Sequence, residues 1–260
     1  MSLRIAEQSD LIETEGIFCS SGFSKVNIAV FGDSIGKGVT LKNESNRYEI
    51  IKINLYSLIG KNNFCIDNYS LFGCTISKGL SVIRRNAEKL PRYGSVFLEL
   101  GGNDCDFAWE EIALDPEAEH LPKTPLKDFD RTYAEVIDEI IIRGSRPVIL
   151  TLPPLDPEKY FCWISRKLNG DRILKWLGSI DMIYRWQEMY NIRILMLASK
   201  LSVPVIDIRS PFLMKNNYNS LLCRDGIHPN RSGYELIYKT IAEEYMHIDS
   251  HMNLSRRKAE

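Results

Sequence analysis

The stretch "VFGDSIGKGV" (residues 30–39) ends an apolar run, "KVNIAVF", with a glycine-rich turn that carries Ser34. Such a turn can cradle a phosphate or expose a nucleophile. The phosphate reading fails on spacing. A P-loop needs GxxxxGK followed by Ser or Thr, whose hydroxyl binds magnesium. Here Gly32 precedes Gly36-Lys37 by one residue too few, and Gly38 replaces the hydroxyl residue. The dinucleotide pattern GxGxxG is absent as well. "GDSIG" does fit GxSxG, a turn that presents a serine at a strand end. It follows the first clear strand, however, and has no HGGG partner, unlike an α/β-hydrolase elbow. A plain helix N-cap is the alternative. Gly36-Lys37-Gly38 reads as the start of a helix behind the turn.

Outward from this turn, five apolar stretches read as strands: 26–31, 64–70, 95–100, 147–152 and 203–208. Several are nearly continuous in apolar, mostly β-branched residues, as strands buried on both faces are. Helical spacing fills the intervals at 47–60, 128–144, 182–201 and 231–247. The second of these opens with acids and ends on Arg143-Gly144, as the helix dipole and a C-terminal glycine favour. Alternating strands and helices describe an α/β chain with a parallel sheet covered on both faces. Ligands in such sheets bind at the carboxyl ends of the strands. Two segments there exceed ordinary loop lengths, 105–126 and 153–182. They are expected either to wall or lid a substrate pocket or to pack at the periphery. No repeat or linker divides the 260 residues, which read as one domain.

Composition narrows the function. Thirty-three Lys and Arg nearly balance 34 Asp and Glu, so no nucleic-acid or anionic-membrane partner is expected. No apolar run reaches the ~20 residues of a membrane span. The acidic N-terminus lacks the apolar core of a signal peptide, so the chain reads as cytoplasmic. Its six cysteines form no CxxC pair and read as free thiols. With no HExxH either, no metal is expected.

A nucleophilic serine needs a base. Among the four histidines, His228 stands apart, in "CRDGIHPNRSGYELI", with Asp225 three residues before it. A carboxylate there can fix the ring's tautomer while the other nitrogen faces the serine. A simple helix-entering turn is the alternative. Two further strand ends offer donors for an oxyanion. Gly73, in "NYSLFGCT", can present its backbone N–H, and Asn103, in "LELGGND", its side-chain amide.

Taken together these blocks resemble the SGNH hydrolases, also called GDSL esterases and lipases. "FGDSIGKG", "NYSLFGCT", "LGGND" and "RDGIHPNRSGYELI" are similar to the four family blocks and span residues 26–246. The resemblance implies a three-layer α/β/α sandwich with a five-stranded parallel sheet, flavodoxin-like in order. It implies ester hydrolysis through an acyl-enzyme with no cofactor. Ser34 would attack, His228 act as base then acid, and Asp225 orient it. The Ser34 N–H, Gly73 N–H and Asn103 amide would form the oxyanion hole. Two departures stand out: Ile35 replaces leucine, and Ser70 replaces a frequent glycine, which bears on Gly73. Asp33 and Asp104 are expected to brace loops. The expected substrate is a small to medium acyl ester. A carbohydrate O-acetylesterase is the alternative, with an acylated sugar as the small-molecule partner. A non-catalytic ligand-binding relative on the same fold is the alternative of another class. The aromatic segment near 163–186 could also serve a homo-oligomer.

Overall fold

A computed structural model describes residues 26–42, 46–51 and 64–257. Seven strands are described: β1 (Val26–Gly32), β2 (Val39–Lys42), β3 (Arg47–Ile50), β4 (Phe64–Asn68), β5 (Ser95–Glu99), β6 (Pro147–Leu150) and β7 (Val205–Ile206). The helices are α1 (Ile76–Arg85), α2 (Trp109–Leu114), α3 (Leu126–Ile142), α4 (Pro157–Ser165), α5 (Gly170–Leu177), α6 (Asp181–Leu201), α7 (Ser210–Leu213) and α8 (Arg231–Arg257). Five strands form one parallel sheet in the order β4-β1-β5-β6-β7. The chain leaves β1 toward one edge and returns to its other side at β5. That reversal opens a crevice at their carboxyl ends.

The alternation of side chains builds two cores. Ala29 and Phe31 of β1, Val96 and Leu98 of β5 and Ile149 of β6 face α1, α3 and α6. Their neighbours Ile28, Phe97, Val148 and Leu150 face α8 through Tyr234, Ile237 and Tyr245. This is the expected α/β/α sandwich. In α3 the buried residues Phe129, Tyr133, Val136, Ile137 and Ile140 recur at helical spacing. The helix stops at Gly144, whose φ of +81° suits glycine.

Three expectations need correction. Residues 47–50 are not helical but a strand, β3, antiparallel to β2 with Leu41 opposite Tyr48; residues 52–60 of that predicted helix lie outside the described residues. Gly36-Lys37-Gly38 starts no helix. Gly38 takes a φ of +81° and sends the chain into β2, whose Val39 and Leu41 are buried. The long segments are not loops throughout: they contain α2, α4 and α5. These pack a third core from Phe107, Trp109, Ile112, Tyr160, Ile173 and Leu177.

Candidate active site

Ser34 stands on the turn directly after β1 and is 8% exposed. The turn is held from below by Glu99, the last residue of β5. The Glu99 carbonyl accepts from Asp33 N–H at 3.1 Å, and Glu99 Oε2 accepts from Gly36 N–H at 2.9 Å. Asp33 Oδ1 accepts from Ile35 N–H at 2.8 Å. Gly32 and Gly36 are glycines because this support comes close. A Cβ on either would meet Ser70 Oγ, at 3.0 and 2.8 Å. The departure at Ser70 thus fills the space those two glycines leave.

His228 Nε2 lies 2.9 Å from Ser34 Oγ, and His228 Nδ1 lies 2.7 Å from Asp225 Oδ2. The second oxygen of Asp225 accepts from the N–H groups of Ile227 and His228, at 3.2 and 3.1 Å. Asp225 is fully buried. Burial pushes its carboxyl up, but the His228 hydrogen bond and charge and those two N–H groups outweigh it, leaving it below the ordinary 3.8. An ionised Asp225 favours the tautomer with the proton on Nδ1, so Nε2 is free to accept from the serine. The turn that carries the pair is pinned by Gly226, with a φ of +76°. The Gly226 carbonyl accepts from Asp156 N–H at 2.8 Å, at the start of α4.

Asn103 Nδ2 donates to Asp33 Oδ2 at 2.9 Å. One amide hydrogen is thereby fixed and the other is left to a ligand. Gly73 follows β4 in an exposed turn with a φ of +64°. Its loop is tied to the serine turn by Leu71 N–H donating to the Gly32 carbonyl, at 3.1 Å. Among the described residues, the N–H groups of Ser34 and Gly73 have no protein acceptor. Asp104 binds the N-terminus of α1, both oxygens 3.0 Å from Ile76 N. Asp33 and Asp104 therefore brace loops, as read from sequence. Cys74 and Cys105 are both buried free thiols, and burial pushes both thiols up, Cys74 to about 11.

A cavity of about 280 Å³ opens beside Ser34, Asn103 and His228. It runs between the two long segments, past Phe107, Trp176, Leu177, Ile183 and Trp186. Gly73 does not line it. Sequence reasoning missed Glu99, whose carboxyl is buried and pushed well up by burial and by the Asp33 charge beside it. The signal was there: "SVFLEL" carries one acid inside a strand buried throughout. Tyr48, which packs against the His228 ring, was hidden by the helical reading of 47–60. Among the described residues no group of three or more His, Cys, Asp or Glu could hold a metal, and no helix is long and apolar enough to cross a membrane.

The fold and this geometry can be set against known proteins. The model of the GDSL-like lipase/acylhydrolase family matches residues 30–236. None of the curated proteins matches the chain in sequence. Among solved structures, a lipase/acylhydrolase from Enterococcus faecalis shares 20% identity at a TM-score of 0.57, over 84% of this chain and 94% of that one. A catalytic mutant of an acetylxylan esterase from Geobacillus stearothermophilus shares 15% identity at 0.59, over 85% and 94%. A GDSL-like lipase from Bacteroides thetaiotaomicron shares 15% at 0.55, over 84% and 86%. At such identities these neighbours speak for the fold alone, whereas the family model covers most of the chain. The chain belongs to the GDSL-like lipase/acylhydrolase family, and with it to the hydrolases of ester bonds.

Proposed function

We propose that the chain cleaves esters of medium-length, apolar acyl groups through an acyl-serine at Ser34. Ser34 Oγ attacks the ester carbonyl carbon as its proton passes to His228 Nε2. The oxyanion that forms is held by the Ser34 and Gly73 N–H groups and the Asn103 amide. One such donor is worth ~10²–10³ in rate. The intermediate collapses, and the alcohol leaves with the proton from His228. Water then repeats the sequence, with His228 first as base and then as acid, and the carboxylic acid is released. Asp225 holds the ring in place throughout. The 2.9 and 2.7 Å contacts of His228 favour this over a non-catalytic relative.

The observation that carries the acyl preference is the state of the cavity's polar atoms. Asp106 Oδ1 already accepts from Trp109 Nε1 and Tyr160 OH, at 2.8 and 2.7 Å, and Oδ2 from Lys123 Nζ at 2.7 Å. Gln187 is used at both ends, by the Pro153 carbonyl and by Arg209. Trp186 Nε1 is the buried exception. A sugar pressed into this wall would leave hydroxyls unpaired at ~1–3 kcal/mol each. An alkyl chain gains by the same contact. An acetyl group would leave most of the space unfilled, which disfavours the O-acetylesterase alternative. The insertions at 105–126 and 153–182 are read as the walls of this pocket. A reducing, cytoplasmic setting suits the five described cysteines, all free.

The test is hydrolysis of p-nitrophenyl esters from acetate to decanoate. Octanoate should exceed acetate at least ~10-fold in kcat/KM, one pocket-filling contact of about 1.4 kcal/mol. Ser34→Ala should lose ~10⁴-fold or more, and Asp225→Asn a similar factor through the wrong tautomer. Best activity on acetate sinks the acyl reading, and an active Ser34→Ala sinks the nucleophile.

A further inference from the structure

The cavity touches the Ser34–His228 pair, and side chains that do not line it pack against the His228 ring. Tyr48 of β3 lies 5.0 Å from the His228 ring, tilted by 56°. Phe72, just before Gly73, lies 6.1 Å from the same ring and nearly parallel to it. The two rings are 5.5 Å apart. Trp163 of α4 meets Tyr48 edge-on at 6.4 Å, and the Arg166 guanidinium covers one Trp163 face at 3.4 Å. None of the three aromatics lines the cavity. Tyr48 and Phe72 thus pack directly against His228, Trp163 extends the cluster through Tyr48, and the first two rings stay open: Tyr48 is 40% exposed and Phe72 47%. Exposed apolar rings that cluster mark an interaction site where scattered ones do not.

Position assigns them a role. On the acyl-serine reading, His228 Nε2 must hand its proton to the leaving oxygen, so the alcohol half sits beside that nitrogen. The acyl half fills the cavity. We infer that Tyr48, Phe72 and Trp163 form an alcohol subsite, a shelf that takes a ring-shaped alcohol by its flat apolar face. Aryl alcohols and sugar rings both present such a face, and aromatic side chains bind it by stacking. The β2–β3 hairpin is the device that places the shelf, because it carries Tyr48 over the histidine. Burial, the neighbouring Asp225 charge and a hydrogen bond with Asp225 all push the Tyr48 phenol up, so its hydroxyl end is engaged with the acid.

The inference rests on the acyl-serine reading, and the test separates the two. Octanoate esters of hexanol, of benzyl alcohol and of the 6-hydroxyl of methyl glucoside share one acyl group and form one acyl-enzyme. The native protein should favour a ring ester over hexyl octanoate roughly tenfold in kcat/KM, the worth of one well-stacked ring. In Tyr48→Leu and Phe72→Leu that ratio should fall to about one. The rate of the common deacylation step, read after the burst with p-nitrophenyl octanoate, should not follow the ratio, since the alcohol has left. A purely structural role would slow all three esters together and leave the ratio intact. Preference for the benzyl ester alone identifies an aryl alcohol, and for the glucoside alone a sugar. Equal rates on all three, or a preference that survives both substitutions, overturns the shelf. Ser34-dependent cleavage of p-nitrophenyl octanoate reports on the underlying reading separately, so equal rates with that dependence intact sink the shelf alone.

Discussion

Gly226→Ala tests whether the turn carrying Asp225 and His228 is held by its contact with α4. The backbone there has a φ of +76°, which costs an L side chain about 1–2 kcal/mol. A Cβ at this position would lie 2.6 Å from both the Asp156 carbonyl oxygen and Tyr160 N, and 2.9 Å from Lys159 Cβ. Two of these three neighbours are backbone and cannot swing aside. The turn must retreat by about 0.8 Å to reach an ordinary contact. Overpacking of this kind costs ~1–3 kcal/mol. Losing the hydrogen bond from Asp156 N–H adds about 1 kcal/mol. The sum, about 3–6 kcal/mol, is a large part of the 5–15 kcal/mol typical of a domain. His228 lies two residues along the same turn, and a displacement near 1 Å costs about 10²-fold in rate. Urea unfolding should therefore show a loss of at least ~3 kcal/mol, and kcat on octanoate should drop ~10²-fold in the folded fraction. Gly144→Ala is the control: its φ, +81°, is positive too, but nothing lies within 4 Å of the added Cβ. It should cost only the ~1–2 kcal/mol of backbone strain and leave activity intact. If Gly226→Ala matches Gly144→Ala in both measurements, contact with α4 does not hold the turn and the reasoning fails.

Burial raises the Asp104 carboxyl from 3.8 to about 6. Between those values the folded chain keeps a proton that the unfolded chain has released, so stability falls as pH rises through the window and levels off above it. The loss should be up to about 3 kcal/mol. Asp33 and Glu99, both raised by burial, slope the same way, so the informative quantity is the difference between native protein and Asp104→Asn in urea midpoints from pH 4 to 7. A difference independent of pH would show that Asp104 titrates as an ordinary carboxyl. Ile183→Phe, in the cavity wall and 7% exposed, should lower the octanoate-to-butanoate ratio in kcat/KM by ~10-fold or more, the cost of crowding one side chain. An unchanged chain-length profile would place the acyl chain elsewhere.

The sandwich was legible because its signals are local. Short, largely apolar runs such as 95–100 and 147–152 suit strands buried on both faces, and α3 announces itself by spacing and by Gly144. The chemistry was legible for a related reason. Ser34 and Asn103 follow β1 and β5, where the fold leaves side chains facing a crevice, and the Asp225–His228 pair stands in the turn that enters α8, so each block carried a local signal in residue type as well as position. Residues 47–50 misled because the helical spacing read across 47–60 rests on Ile50, Ile51, Ile53, Leu55 and Leu58, whereas Tyr48 and Ile50 alternate as a strand does. Only the pairing of Leu41 with Tyr48 chose between them, and that partner is seven residues away.

By itself, then, the sequence indicated the layers and named residues that the fold brings to one place, since periodicity and residue chemistry act over a few positions. Tertiary structure decided what surrounds them. It folded two long segments into the helices that wall a cavity, and it put Glu99 under the serine turn. It also turned a hairpin so that aromatic rings flank His228. Those outcomes depend on contacts between residues 63 to 180 apart, such as Gly36 with Glu99 and Tyr48 with His228. No local pattern encodes them, because their energy appears only when the distant partner is in place.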